Sequence, residues 1–131
     1  MRKPLSMDQQ DVFNRVVAHA REQGRRSLRP TGPCAYRGAN GTRCFIGALI
    51  TDEAYDAGLE YQGASSTEVV QALRDSGVDV QTPEDIELCT RLQAIHDEKV
   101  ADDVDTLQHW EAGFKTLARV FNLKYTPPAD L

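Results

Sequence analysis

Cys34-Ala-Tyr36-Arg37-Gly-Ala-Asn40-Gly41-Thr-Arg43-Cys44-Phe-Ile46 is the stretch on which the fold reading turns. Asn-Gly between short strand-like runs is a strong local hairpin signal, because both residues tolerate positive φ. The sequence therefore predicts one β-hairpin at about residues 34–46. Its register matters chemically. A two-residue Asn40-Gly41 loop pairs Ala39 with Thr42 and sends Cys34 and Cys44 to opposite faces. A three-residue loop, Ala39 to Gly41, pairs Gly38 with Thr42 and puts both cysteines on one face. The Asn-Gly signal favours the first register.

Outward from the hairpin the chain reads as helices. Val12, Phe13, Val16, Val17 and Ala20 repeat at helical spacing, which predicts a helix over 7–23 with Ser6 as N-cap and Gly24 after its end. Arg25, Arg26 and Arg29 lead into Pro30, Gly32 and Pro33, a basic loop. Ile46 to Ile50 fits either the end of a strand or a short buried helix. Thr51 caps a turn that starts at Asp52 and Glu53, with Gly58 at its end. Residues 67–75 read as a helix closed by Gly77. Thr82-Pro83-Glu84-Asp85 starts a further helix to about residue 97. Leu107, Trp110, Phe114, Leu117, Val120 and Phe121 define the buried side of a last one. The expected fold is α+β: one domain over 1–131, about four to five helices, one hairpin, and a frayed tail at 126–131.

Composition narrows the function classes. The 131 residues are 40% hydrophobic and 27% charged, as in ordinary soluble domains. No apolar run is long enough to cross a bilayer, and Met1 to Gln10 lack the apolar stretch of a secretory signal. A cytoplasmic location is expected. Three cysteines are an odd number and fit reduced thiols. Net charge is −5 but segregated. Residues 1–47 hold nine Arg/Lys and three Asp/Glu, a balance of +6, and the remainder holds six and seventeen, a balance of −11. Such asymmetry points either to a charged partner or to internal pairing.

Four constellations are candidates for chemistry. Cys44 beside Arg43, with His96 and Asp97 as base and orienter, has the residue types of a thiol nucleophile system. The alternative is a buried small hydrophobe and a helix-end histidine. Cys34 and Cys44 lack the spacing and the further ligands of a zinc site, so no metal is expected. Arg25, Arg26, Arg29, Arg37 and Arg43, with Tyr36 and Asn40, make a basic surface suited to phosphate or carboxylate groups. Those arginines also lie close in sequence to Asp52, Asp56 and Glu60, which offers internal partners instead. Finally, Asp97, Glu98, Asp102, Asp103 and Asp105 crowd one connection, as a nucleic-acid mimic or as a solvated loop. No cofactor motif is present, and no DNA-reading motif.

Residues 34–55, CAYRGANGTRCFIGALITDEAY, together with Leu92-Gln-Ala-Ile-His96-Asp97 and the aromatic C-terminal helix, resemble a family of small proteins of bacteriophages, prophages and bacterial mobile elements. Where that family has Pro before the Asp-Glu pair, this chain has Thr51. The resemblance implies context rather than an activity: a cytosolic accessory protein acting on a host or defence factor. The leading expectation is a non-enzymatic binding protein that modulates a host macromolecule. It would use Arg25, Arg26, Arg29, Tyr36, Arg37, Asn40, Arg43, Asp52 and Glu53, with a host or phage protein as partner. The alternatives are a small thiol enzyme built on Cys44 and His96, and a binder of a nucleotide, nucleic acid or other phosphorylated ligand. A homodimer is compatible with each.

Overall fold

A computed structural model describes residues 6–27, 35–98 and 105–128. Among the described residues four α-helices carry the fold: α1 (Gln9–Gln23), α2 (Thr67–Asp75), α3 (Pro83–Asp97) and α4 (Thr106–Val120). Short 3₁₀ turns occupy Ala39–Gly41, Gly47–Leu49 and Ala57–Tyr61. Among the described residues there is no strand and no sheet. A single parallel bridge joins Met7 to Val78. The α+β expectation is thus corrected to an all-helical architecture, and the β-hairpin is not formed.

The helices start and stop where local chemistry says they should, with one shift. Asp8, not Ser6, caps α1: its side chain accepts from the Asp11 amide, and the Asp11 carboxylate accepts from the Asp8 amide. Ser6 instead donates its backbone N–H to Gly77 O. Gly24 ends α1 at φ 68°, a conformation open to glycine at little cost. Ser66, Thr82 and Asp105 cap α2, α3 and α4 through their side-chain oxygens. Gly58 falls inside the third 3₁₀ turn rather than after it.

The loss of the hairpin has a specific cause. Asn40 and Gly41 do take positive φ, 58° and 75°. Gly38 N–H donates to Thr42 O at 2.8 Å, so the turn closes around three residues, not the favoured two. With Gly38 opposite Thr42 the next ladder pair would be Tyr36 and Cys44. The Tyr36 N–H goes instead to Glu60, the Cys44 N–H to Ala35 O at 3.2 Å, and Cys44 O accepts the Ala48 N–H at 3.0 Å. The flanking groups are held by side chains. The Glu60 carboxylate accepts the N–H groups of Tyr36 and Arg37 at 2.9 and 3.0 Å. Gln23 Oε1 accepts the Arg43 N–H at 2.7 Å. His19 Nε2 and Gln23 Nε2 both donate to Arg43 O, at 2.8 and 2.9 Å. Side-chain partners satisfy the backbone as completely as a neighbouring strand would, and the segment stays irregular.

The apolar end of the same segment enters the core. Cys44, Phe45 and Ile46 are fully buried. The Phe45 ring lies 4.8 Å from Trp110 and 5.4 Å from Phe114, while Phe13 of α1 meets Phe114 edge-on at 6.1 Å. Helices, not strands, surround this plug, and burying one such ring contributes roughly 2–3 kcal/mol. Gly47 allows the chain to double back: a Cβ there would sit 2.2 Å from the carbonyl oxygen of Tyr36. Gln93, buried on α3, completes the seat by accepting the Ile46 N–H at 3.2 Å.

Candidate functional site

The arrangement around Cys44 determines what the thiol can do. Cys44 is fully buried, and its Sγ accepts the Gly47 N–H at 3.3 Å. His96 is equally buried, between the rings of Phe45 (5.1 Å) and Trp110 (5.8 Å). The Ser27 amide donates to His96 Nε2 at 3.0 Å, so this nitrogen carries a lone pair and no proton. The proton therefore sits on Nδ1, which donates to Asp97 Oδ1 at 2.9 Å. That is the tautomer a catalytic base uses, but the basic nitrogen already accepts a backbone amide. It has no lone pair left for a thiol proton. Arg26 reinforces the same junction by donating to the carbonyls of His96 and Asp97 at 3.0 and 2.9 Å, which closes the C-terminal end of α3. His96, Asp97 and Arg26 thus act together to lock the segment around Ser27 to α3, while the Cys44 thiol caps the Gly47 turn.

The arginine set divides. Arg37 lies over the Tyr55 ring at 4.4 Å and pairs with Asp52 at 2.6 Å. Its Nη2 also donates to Ile50 O at 3.2 Å. Tyr36 is buried, and its hydroxyl donates to Gln62 O at 2.6 Å. The flat ring expected beside the arginines is therefore not offered to a ligand. The Tyr55 hydroxyl donates to Glu60, and burial with that carboxylate pushes the phenol up to about 12. Asp52 is exposed and holds Arg37 closely and Arg43 more loosely, at 3.5 Å. Glu53 is exposed beside it. Arg29, Cys34, Asp102 and Asp103 lie outside the described residues. The described acids of the crowded connection all have structural partners: Asp97 with His96, Glu98 with His109 at 3.6 Å, and Asp105 as the cap of α4.

What remains is a polar, open groove of about 760 Å³ between α1 and the Asn40-Gly41 turn. Arg15, Ala18, His19 and Glu22 line it from one stripe of α1, at the i, i+3, i+4, i+7 spacing that shares a helix face. Asn40, Gly41, Thr42 and Arg43 form the opposite wall, and Arg25 stands at the end of α1. Arg15 and Arg25 are exposed. Among the described residues neither guanidinium has a hydrogen-bond or ion-pair partner. Arg25 is instead placed through its backbone, whose carbonyl accepts from Gln23 Nε2 at 2.7 Å. Gln23 therefore positions both ends of the groove, Arg25 and Arg43. Sequence reasoning singled out Arg25, Arg43 and Asn40 but missed Arg15, His19 and Gln23. Their signal was the polar stripe of α1 opposite its apolar one.

Among the described residues no group of three or more His, Cys, Asp or Glu side chains could hold a metal. Nor is any helix there long and apolar enough to cross a membrane. No family model, curated protein or solved structure matches the chain.

Proposed function

We propose that this chain is a non-enzymatic binding protein whose groove between α1 and the Asn40-Gly41 turn takes an acid-rich segment of a partner protein. The observation that carries this reading is the pair of exposed guanidinium groups, Arg15 and Arg25, on the groove with no partner among the described residues. Arg43 flanks them, only loosely held by Asp52. Arginine forks suit carboxylates. The groove is polar and open, unlike the largely apolar, enclosing sites of small ligands, which argues for an extended partner over a nucleotide. It offers no aromatic stacking platform, which argues against single-stranded nucleic acid. The likeness of residues 34–55 to proteins of phages and mobile elements supports a host macromolecule, such as a defence factor, met in the cytoplasm.

The test uses a fluorescent oligo-glutamate peptide of about ten residues and an oligonucleotide of equal charge, both followed by anisotropy. The peptide should bind in a salt-sensitive manner, and reversal of Arg15 and Arg25 to Glu should weaken it at least about tenfold, or 1.4 kcal/mol. Peptide binding that survives the double reversal, or a preference for the oligonucleotide, overturns the reading.

A further inference from the structure

A second surface lies away from the arginine groove, along the outer seam of α3 and α4. It is an apolar groove of about 400 Å³. Ala94 and Ile95 of α3 and Ala112, Gly113, Leu117 and Val120 of α4 supply its apolar lining. Gly113 lets the two helices approach closely, since a Cβ there would meet Ile95 at 3.1 Å. Val120 is 60% exposed, one of two large hydrophobic residues left in water among the described residues. Ala94 and Ala112 are exposed too, Ile95 and Gly113 are half-buried, and Leu117 is buried at the floor.

Charge is laid along this groove with a direction. α3 and α4 run antiparallel, as the Glu98–His109 contact at 3.6 Å shows. Arg91 therefore stands toward the Val120 end. Glu98 stands at the other end, beside His109. The groove thus carries a guanidinium at one end and a carboxylate at the other. A surface of this kind is complementary to itself when turned end for end, which is the operation of a two-fold axis.

We infer that the α3–α4 seam is the interface of a homodimer, with α4 packed antiparallel on α4 of a second copy about an axis near Ala112 and Thr116. The small residues at the centre let the helices come close. Each Val120 then covers the His109 end of the opposite groove, and each Arg91 faces the second copy's Glu98. Within one copy, and among the described residues, Arg91 is held by Glu87, four residues back at 2.7 Å, and both side chains are about half exposed. Such a pair contributes little and is readily exchanged for one across the interface. The antiparallel arrangement also opposes the two α4 dipoles favourably. This inference does not depend on the arginine groove, which lies on the other side of α1.

Sedimentation equilibrium of the full chain, from about 5 to 200 µM, tests it. The expected result is a reversible dimer of twice 14.6 kDa. Val120→Asp should leave the melting temperature unchanged, because the side chain is exposed, and should abolish the dimer. Arg91→Glu should raise the dissociation constant at least about tenfold, and adding Glu98→Arg to it should recover most of that loss. A monomer at every concentration overturns the inference, as does a dimer indifferent to Val120→Asp. A double charge exchange no better than the single change refutes the two-fold arrangement.

Discussion

Gln23→Ala removes one side chain that makes three hydrogen bonds to backbone: from Arg43 N–H at 2.7 Å, to Arg43 O at 2.9 Å and to Arg25 O at 2.7 Å. A neutral hydrogen bond contributes roughly 1 kcal/mol net. Gln23 and Arg43 are half-buried, so water replaces part of what is lost, and His19 still holds the Arg43 carbonyl. The expected cost is about 2 kcal/mol, or roughly 5–8 °C in melting temperature for a chain of this size. The Arg43 amide reports the effect locally. Deprived of its acceptor, it should lose about tenfold or more of its protection from hydrogen exchange, 1.4 kcal/mol being a factor of ten. Gln23→Glu keeps an acceptor for that amide and loses both donors, so it should fall between wild type and Gln23→Ala. Urea titration with amide exchange at Arg43 gives both numbers. A cost below about 0.5 kcal/mol with unchanged protection would refute the argument that α1 side chains, rather than strand pairing, hold this segment.

Gly47→Ala should be far more damaging than Gly63→Ala. The new methyl at Gly47 meets the Tyr36 backbone at 2.2 Å, whereas nothing lies within 4 Å of a Cβ at Gly63. Overpacking against backbone costs about 1–3 kcal/mol or more, and the exposed substitution should be neutral or slightly stabilising; equal urea midpoints would count against the close approach. Iodoacetamide at neutral pH should leave Cys44 and Cys89 unmodified in the native chain, with mass spectrometry locating any adduct. Both are buried, and burial, with Asp85 nearby, pushes the Cys89 thiol up to about 12; rapid labelling of Cys44 would revive a thiol chemistry. Glu111 is 3% exposed and receives Arg21 at 2.7 and 2.9 Å and the Tyr125 hydroxyl at 2.7 Å. Burial alone would raise its carboxyl, but Arg21 and Tyr125 outweigh that and hold it below the ordinary 4.5. A depressed carboxylate stabilises the fold above its unfolded pKa, and that stability is lost as pH falls through the folded one. Glu111→Gln should therefore flatten the loss of stability below about pH 4.5, and an unchanged acid profile would show that this cluster does not set it.

The helices were legible because each is specified locally. Thr82-Pro83-Glu84-Asp85 names its own cap, first residue and acidic turn, and α3 begins at Pro83. Residues 67–75 announced α2, and it spans Thr67–Asp75. The shift at α1 is also local: Ser6 and Asp8 are both good caps, and Asp8 has in Asp11 the carboxylate that completes a reciprocal box. Asn40-Gly41 was likewise a correct local statement about φ. What it could not specify was the partner of each flanking amide. Those partners are Glu60, 23–24 residues away, and Gln23, 20 residues away, on elements whose placement depends on the core. A hairpin signal describes a turn and leaves open whether strands follow it.

The charge segregation shows the same mixture of local and distant causes, and it bears directly on function. Much of the basic excess of the first third is answered internally by the acidic remainder. Arg21 pairs with Glu111 across α1 and α4, and Arg37 and Arg43 share Asp52. Arg26 spends its guanidinium on the end of α3, and Glu60 takes backbone amides where an arginine was expected. Subtracting these from the sequence pattern leaves Arg15 and Arg25 on the groove, two cations with no structural task among the described residues. A surface arginine without a partner is common by itself. The proposed site has two on the groove, a third held at 3.5 Å, and the backbone of two of the three fixed by one glutamine while the exposed guanidinium groups stay free to turn. Preorganisation of that kind lowers the ordering cost of binding. The groove is therefore where charge reversal should be read first, ahead of Arg37, whose loss would be felt mainly in stability.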